Sequence, residues 1–156
     1  MKGLIVVVEG LERTGKTTLC KEFEKHGFVY FKDYNRINYH NVVSIEGRID
    51  TTLTFLQNLS ENGVNVVVDR FHLSEYAYSR TFRKNCGTAK NVDYIDNAIS
   101  KLNSVLILCK TENNEEYKNR MLLKYTDKQI EKLSKEFEYY FDKSEIKNKF
   151  VYEFPQ

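Results

Sequence analysis

The segment from Gly3 to Thr18, GLIVVVEGLERTGKTT, constrains the fold more than any other part of the chain. Its first half, Leu4 to Val8, is a run of apolar and mostly β-branched residues, which is typical of a strand buried on both faces. The second half matches G-x-x-x-x-G-K-[ST], and an amphipathic stretch with helical spacing follows it. The sequence therefore predicts a strand, a glycine-rich loop and a helix in immediate succession.

The residue types of this loop suit a nucleoside triphosphate. Glycines let backbone N–H groups approach phosphate oxygens, the lysine reaches the β- and γ-phosphates, and the Thr17 hydroxyl is placed on Mg²⁺. The positive end of the following helix points at the same anion. We therefore expect a nucleoside triphosphate together with Mg²⁺. The expected nucleotide-binding residues are Gly10, Leu11, Glu12, Arg13, Thr14, Gly15, Lys16, Thr17 and Thr18.

Length, charge and cysteine content narrow the class of protein. A chain of 156 residues is expected to form one domain over residues 1–156. Its net charge of +2, with acidic and basic residues well mixed, predicts no nucleic-acid partner. We recognise no signal peptide, and no apolar stretch approaches the roughly 18 residues of a membrane span, so we expect no membrane partner. Cys20, Cys86 and Cys109 lack metal-type or redox-pair spacing and indicate reduced thiols in the cytoplasm.

Apolar runs and helical patterns alternate along the rest of the chain. Further strands are predicted at Phe28 to Phe31, Val64 to Val68, Val105 to Cys109 and Lys149 to Phe154. Helices are predicted at Lys16 to Lys25, Asn41 to Asn62, Phe71 to Arg83 and Val92 to Leu102, and after a capping box formed by Thr126 and Gln129. This alternation predicts an α/β fold with a five-stranded parallel sheet and helices on both faces.

A second group of informative residues follows the third predicted strand. Ligands of such sheets sit at the carboxyl ends of strands, and Asp69 and Arg70 stand directly after VVV. The aspartate is in the usual position for an acidic group near Mg²⁺, and the arginine presents donors that suit phosphate. The alternative is that the two side chains only pair with each other.

Two motifs together resemble one enzyme family. Residues 69–78, DRFHLSEYAY, fit D-R-[YF]-x-x-S-x-x-A-[YF], and residues 9–18, EGLERTGKTT, fit E-G-x-[DE]-x-x-G-K-[ST]-T. Both are similar to the signatures of thymidylate kinases. The resemblance implies a P-loop kinase that transfers the γ-phosphoryl group of ATP to the 5′-phosphate of dTMP with Mg²⁺. Its partners would be ATP and a deoxynucleoside monophosphate, and a homodimer would form through helices packed side by side.

Matching positions carry roles over from the family. Glu12 matches the acidic residue that contacts the sugar hydroxyl of the acceptor, and Arg70 matches the arginine that holds its phosphate. The signature residues Ser74 and Tyr78 are expected on the substrate side. The resemblance thus implies catalytic roles for Arg13, Lys16, Asp69 and Arg70, and metal binding by Thr17 and Asp69.

Two arginine assignments remain open. Arg13 matches a loop arginine that stabilises the transferring phosphoryl group in some members, whereas other members use arginines of the lid. The lid candidate here, residues 112–128, contains a single arginine, Arg120, which favours Arg13 as the arginine that stabilises the phosphoryl group. The alternative is that Arg13 is a solvated loop residue. Arg48 lies near the position of the family's base-reading arginine, and it is equally well explained as an exposed helix residue.

The sequence also departs from the family. The arginine-proline motif after the second strand is absent, and Ser44 stands where an aromatic residue would stack on the base. Stacking candidates are Tyr39, Phe71, Tyr76 and Tyr78. Alternatives are therefore a broader deoxynucleoside monophosphate kinase, a deoxynucleoside kinase, or a nucleotide-binding protein without catalysis. A GTPase is disfavoured because D-x-x-G and N-K-x-D are both missing.

Two more residues near these motifs have open roles. Glu9, at the end of the first strand, is predicted either near Mg²⁺ or the acceptor sugar, or in an ion pair with Arg70. His72 is predicted either to bond to substrate or to pack between helices.

Overall fold

The computed structural model describes residues 1–32, 45–82, 88–111, 119 and 121–154. The strands of the described part are β1 (Ile5–Gly10), β2 (Val29–Lys32), β3 (Val66–Asp69), β4 (Ser104–Thr111) and β5 (Asn148–Phe154). The helices of ten or more residues are α1 (Lys16–Lys25), α2 (Ile45–Glu61), α3 (His72–Phe82), α4 (Thr88–Ser100) and α5 (Asp127–Lys143). The order of predicted elements is confirmed, and α4 begins four residues before its predicted start.

The strands form one parallel sheet in the order β2-β3-β1-β4-β5. The predicted fold class is therefore confirmed. The central strand β1 pairs Val8 with Asp69 of β3 and Gly10 with Cys109 of β4. The carboxyl ends of three strands thus meet at one edge, and this edge carries the residues that the motifs singled out.

Alternating side chains of the strands build two separate apolar layers, since successive residues of a strand face opposite sides. One layer contains Val6, Val8 and Val67 together with Cys20 of α1. The other contains Ile5, Val7 and Val66 and the apolar faces of α2, α3, α4 and α5. Helices therefore cover both faces, as the continuous apolar strands predicted.

Two local features fix the end of β1 and the start of α5 beside the site. Gly10 has φ 141°, and a Cβ there would lie 2.4 Å from the carbonyl oxygen of Cys109, so only glycine fits this close approach of β1 and β4. At the start of α5, Gln129 N–H donates to Thr126 Oγ1 at 3.2 Å and Thr126 N–H donates to Gln129 Oε1 at 2.9 Å. The predicted capping box is confirmed.

None of the helices described by the model is both long enough and apolar enough to cross a membrane.

Candidate active site

A cavity of about 300 Å³ opens at the carboxyl edge of the sheet, above β1 and β3. Its lining residues are Arg13, Gly15, Lys16, Thr17, Thr18 and Arg70. The structure thus brings the phosphate-loop residues together with the arginine that follows β3, although 57 positions separate Arg13 from Arg70 in the sequence. Three cationic side chains around one cavity suit a polyphosphate.

The two arginines of the cavity share an uncommon backbone conformation. Arg13 has φ 60° and Arg70 has φ 68°, and they are the only non-glycine residues with positive φ in the described part of the chain. This conformation costs about 1–2 kcal/mol for a residue with a Cβ. The Arg70 N–H donates to the carbonyl oxygen of Val8 at 2.9 Å, which holds the turn against β1. Strain of this kind is concentrated at functional sites.

Lys16 is only 4% exposed and its ammonium group donates to the carbonyl oxygen of Leu11 and, at 3.5 Å, to Thr14 Oγ1. Burial, reinforced by repulsion from Arg70, lowers the pKa of Lys16 to about 8. The loop therefore holds a cation whose charge is poorly compensated, and a bound phosphate would compensate it.

Thr17 and Asp69, the two predicted metal ligands, are in direct contact. Thr17 Oγ1 donates to Asp69 Oδ2 at 3.1 Å, and the hydroxyl of Tyr30 donates to the same oxygen at 2.6 Å. Burial, followed by this bond to Asp69, raises the pKa of Tyr30, so its hydroxyl stays a donor. A hydroxyl and a carboxylate are hard oxygen donors that suit Mg²⁺, which typically takes few protein ligands and completes its shell with phosphates and water.

In the described part of the chain, no three histidine, cysteine or acidic side chains gather to hold a metal ion by themselves.

Glu12 connects the phosphate loop to the end of the lid candidate. Its carboxylate accepts from Lys124 Nζ at 3.0 Å and from the hydroxyl of Tyr125 at 2.7 Å. Burial would raise the pKa of Glu12, but the bonds from Tyr125 and Lys124 outweigh it and lower that pKa. The buried hydroxyl of Tyr78 makes no hydrogen bond of standard geometry in the described part of the chain. Arg70, Glu12 and Tyr125 lie near enough to influence its pKa, which burial raises.

Glu9 bonds to the start of α3, and no ion pair joins it to Arg70 among the described residues. It is fully buried, and its two carboxylate oxygens accept from the backbone N–H groups of Phe71 and Ser74, each at 3.0 Å. The Ser74 hydroxyl also donates to it at 2.6 Å. A carboxylate at the first turn of α3 stabilises that helix end and fixes the turn that carries Arg70. Ser74, predicted on the substrate side, is held by Glu9 here.

His72 packs between helices, as one of its two predicted roles required. Its Nε2 lies 2.7 Å from Asp96 Oδ1 of α4, and its Nδ1 has no partner among the described residues. Asp96 also accepts from the Ser144 hydroxyl at 2.6 Å and from the Glu145 N–H at 2.7 Å. Burial would raise the pKa of Asp96, but the bonds from His72, Ser144 and Glu145 lower it.

Some predicted residues lie beyond what the structure describes. Arg48 is in α2, but its side chain is outside the described residues, as are Arg120 and residues 112–118 of the lid candidate. The remaining loop residues Gly10, Leu11 and Thr14 line a second cavity, of about 500 Å³, between the loop, the end of β4 and α5.

Neither a protein-family model nor a curated protein sequence matches the chain. Solved structures do match it. A Candida albicans thymidylate kinase is 17% identical with a TM-score of 0.66, over 97% of this chain and 84% of that one. The YorR protein of Bacillus subtilis, solved with phosphorylated GDP, is 14% identical with a TM-score of 0.65, over 96% and 84%. A deoxyadenosine kinase of M. mycoides is 18% identical with a TM-score of 0.54, over 94% and 88%. The chain thus has the P-loop nucleotide-kinase fold that the thymidylate kinase resemblance implied.

Proposed function

We propose that the protein is a nucleoside monophosphate kinase of thymidylate-kinase type, which uses ATP and Mg²⁺ to phosphorylate a deoxynucleoside 5′-monophosphate. The observation that carries the proposal is the 300 Å³ cavity in which Arg13, Lys16 and Arg70 converge beside the Thr17–Asp69 pair. Phosphoryl transfer requires little covalent chemistry from a protein, so positioning and charge stabilisation are the main requirements.

The proposed roles follow from where each group lies. Lys16 and the backbone N–H groups of the loop bind the β- and γ-phosphates, and Lys16 leaves the Leu11 carbonyl to do so. Arg13, exposed at the rim of the cavity, stabilises the negative charge on the transferring phosphoryl oxygens. Arg70 orients the phosphate of the acceptor through its guanidinium fork.

Thr17 and Asp69 would hold Mg²⁺, Thr17 directly and Asp69 directly or through water. The ion supplies neutralisation of phosphate charge when bound. Both protein oxygens are already adjacent, so little rearrangement of the chain is needed on binding.

Glu12 and Tyr78 are the proposed contacts of the acceptor sugar. The Glu12 carboxylate is ionised at neutral pH because its pKa is lowered, and it accepts hydrogen bonds from Lys124 and Tyr125 in this structure. A sugar hydroxyl of the acceptor is a donor of the same kind. We propose that it takes over part of this hydrogen bonding, while Tyr78 delimits the pocket beside it.

We propose dTMP as the leading acceptor because the two signatures of thymidylate kinases lie at this site. The alternative is a broader set of deoxynucleoside monophosphates or a deoxynucleoside. The similar solved structures support this alternative, since one was solved with phosphorylated GDP and another is a deoxyadenosine kinase. Deoxynucleoside kinases usually carry Glu-Arg-Ser after the third strand, whereas Asp69, Arg70 and Phe71 stand here. This difference favours a monophosphate. For base recognition Arg48 remains the proposed residue.

We further propose one kinase domain with a lid over residues 112–128, a cytoplasmic location and a homodimer. The end of this lid supplies Lys124 and Tyr125 to Glu12, which supports its assignment.

An ADP-release assay with ATP and Mg²⁺, run across all nucleosides and their 5′-monophosphates, tests the function. We expect turnover with dTMP or with a small set of deoxynucleoside monophosphates. Activity with nucleosides alone would replace the proposal by the deoxynucleoside kinase. No turnover with any acceptor, in a protein that binds ATP, would favour the non-catalytic alternative.

A further inference from the structure

Asp69 is held by a residue that belongs to neither signature motif. Tyr30, on β2, donates its hydroxyl to Asp69 Oδ2, and Thr17 donates to the same oxygen. Within the described residues no hydrogen bond reaches Asp69 Oδ1. We propose that Tyr30 is a positioning residue, which fixes the Asp69 carboxylate for binding of the Mg²⁺–nucleotide complex. This inference rests on the function proposed above.

The hydrogen-bond chemistry of the three groups supports it. A threonine hydroxyl has one hydrogen and two lone pairs, and here the hydrogen is given to Asp69. The lone pairs of Thr17 are then available to a metal ion. With two donors on Oδ2, Asp69 offers Oδ1 to the ion or to a water bound to it. Tyr30 supplies the shorter of the two bonds, 2.6 Å against 3.1 Å, and so restricts rotation of the carboxylate.

The fold holds the Tyr30 ring in place independently of its hydroxyl. Tyr30 pairs with Val67 in the parallel register, one pleat before Lys32, which pairs with Asp69. Its ring is half-buried and packs against the apolar layer that includes Val67 and Cys20 of α1. Removal of the hydroxyl therefore leaves the packing intact, and Tyr30→Phe isolates the bond to Asp69.

The experiment is calorimetric titration of the full chain with the non-hydrolysable analogue adenylyl imidodiphosphate, in excess Mg²⁺ and in EDTA. Because a hydrogen bond to a charged group is removed, we expect Tyr30→Phe to weaken binding about tenfold in Mg²⁺. In EDTA we expect no change. In an Asp69→Asn background Tyr30→Phe should have no further effect, since Tyr30 acts through that carboxylate.

The matched control is Tyr94→Phe, because Tyr94 of α4 donates its hydroxyl to Asp50 of α2 at 2.9 Å in an exposed bond. This variant should bind as the unmodified protein does in both buffers. Equal binding by Tyr30→Phe and the unmodified protein, or the same loss in Mg²⁺ and EDTA, would overturn the positioning role. These outcomes leave the kinase proposal standing, whereas an unmodified protein that does not bind the analogue would overturn both.

Discussion

Two polar clusters lie at the two ends of the same short stretch of chain, and they differ in how their charges are satisfied. Arg70 joins Arg13 and Lys16 around an open cavity. Two residues later, His72 is completely buried against Asp96. The first cluster gathers cations, one of which has a pKa lowered by burial and by a neighbouring cation. In the second, one carboxylate accepts hydrogen bonds from three groups of the chain.

This difference in how the charges are satisfied distinguishes a candidate ligand site from a cluster that holds the fold together. The carboxylate of Asp96 ties α3 and α4 to the segment after α5, so its bonds are used within the fold. The cations that line the cavity do not tie helices together in this way, and the left-handed backbone of Arg13 and Arg70 is strained. Such groups persist where a ligand compensates for them. Substitutions in the first cluster should therefore affect chemistry, and those in the second should affect stability.

Arg13→Ala should give the largest effect, a loss of roughly 10³-fold in kcat, because charge on the transferring phosphoryl group loses its guanidinium partner. Steady-state kinetics with ATP and the best acceptor measure it, and thermal unfolding should show an intact fold. Arg80→Ala is the control, since this arginine of α3 pairs with Glu136 on the surface. An unchanged kcat for Arg13→Ala would transfer the role to Arg120 or Arg48.

Asp96→Asn should lower the free energy of unfolding by about 2–3 kcal/mol, because the buried carboxylate that accepts bonds from His72 and Ser144 is lost and an amide faces the Glu145 N–H. Denaturant unfolding measures the loss, and kcat of the folded protein in the ADP-release assay should stay within about threefold.

Asp93→Asn is the matched control for Asp96→Asn. This aspartate of the same helix is half-exposed and accepts from the Tyr140 hydroxyl at 2.7 Å. Asp93→Asn should lower the free energy of unfolding by less than about 1 kcal/mol. A larger effect of Asp96→Asn on kcat than on stability would remove the distinction between the two clusters.

The features that the sequence predicts are those whose residues lie close together along the chain. The strands were predictable because each is a short apolar run, and the loop because its glycines and lysine form a local motif. The capping box of Thr126 and Gln129 was predictable for the same reason, since its partners are three residues apart.

Partners distant in sequence were not predictable. The bond from Tyr30 to Asp69 spans 39 positions and that from Ser74 to Glu9 spans 65, and they arise only when the strand order places these ends together. Nothing local distinguishes a tyrosine that packs from one that also donates a bond. The left-handed conformation of Arg13 and Arg70 was also missed, because arginine seldom adopts it.

Nucleotide binding should weaken with rising pH by about tenfold per unit above the pKa of Lys16, which is about 8 in the free protein. Bound phosphate favours the ammonium form and raises that pKa, so binding takes up a proton. Titration with adenylyl imidodiphosphate at two chosen conditions, about pH 7.0 and about pH 9.5, measures this loss of affinity. The Lys16→Arg variant should lose less affinity between them, because arginine does not titrate in this range.

Stability without nucleotide should change in the opposite direction. The pKa of Lys16 is lower in the folded chain than its ordinary value of 10.5, so the unfolded chain binds more protons between these values. The contribution of Lys16 to the free energy of unfolding therefore rises as pH increases from about 8 to 10. In the binding titration described above, equal affinity for the analogue at the two chosen pH values would show that Lys16 does not compensate phosphate charge.

The smallest effect should come from the backbone of Arg13. Arg13→Gly should be more stable than Arg13→Ala by about 0.5–1 kcal/mol, because glycine adopts φ 60° without steric cost. Both variants lack the guanidinium, so both should lose the same kcat. At Arg80, inside α3, the order should reverse, with glycine about 1 kcal/mol less stable than alanine. Denaturant unfolding of the four variants measures both differences. A sign that reverses between the two sites assigns the strain to the loop itself, independently of the chemistry proposed for the Arg13 side chain.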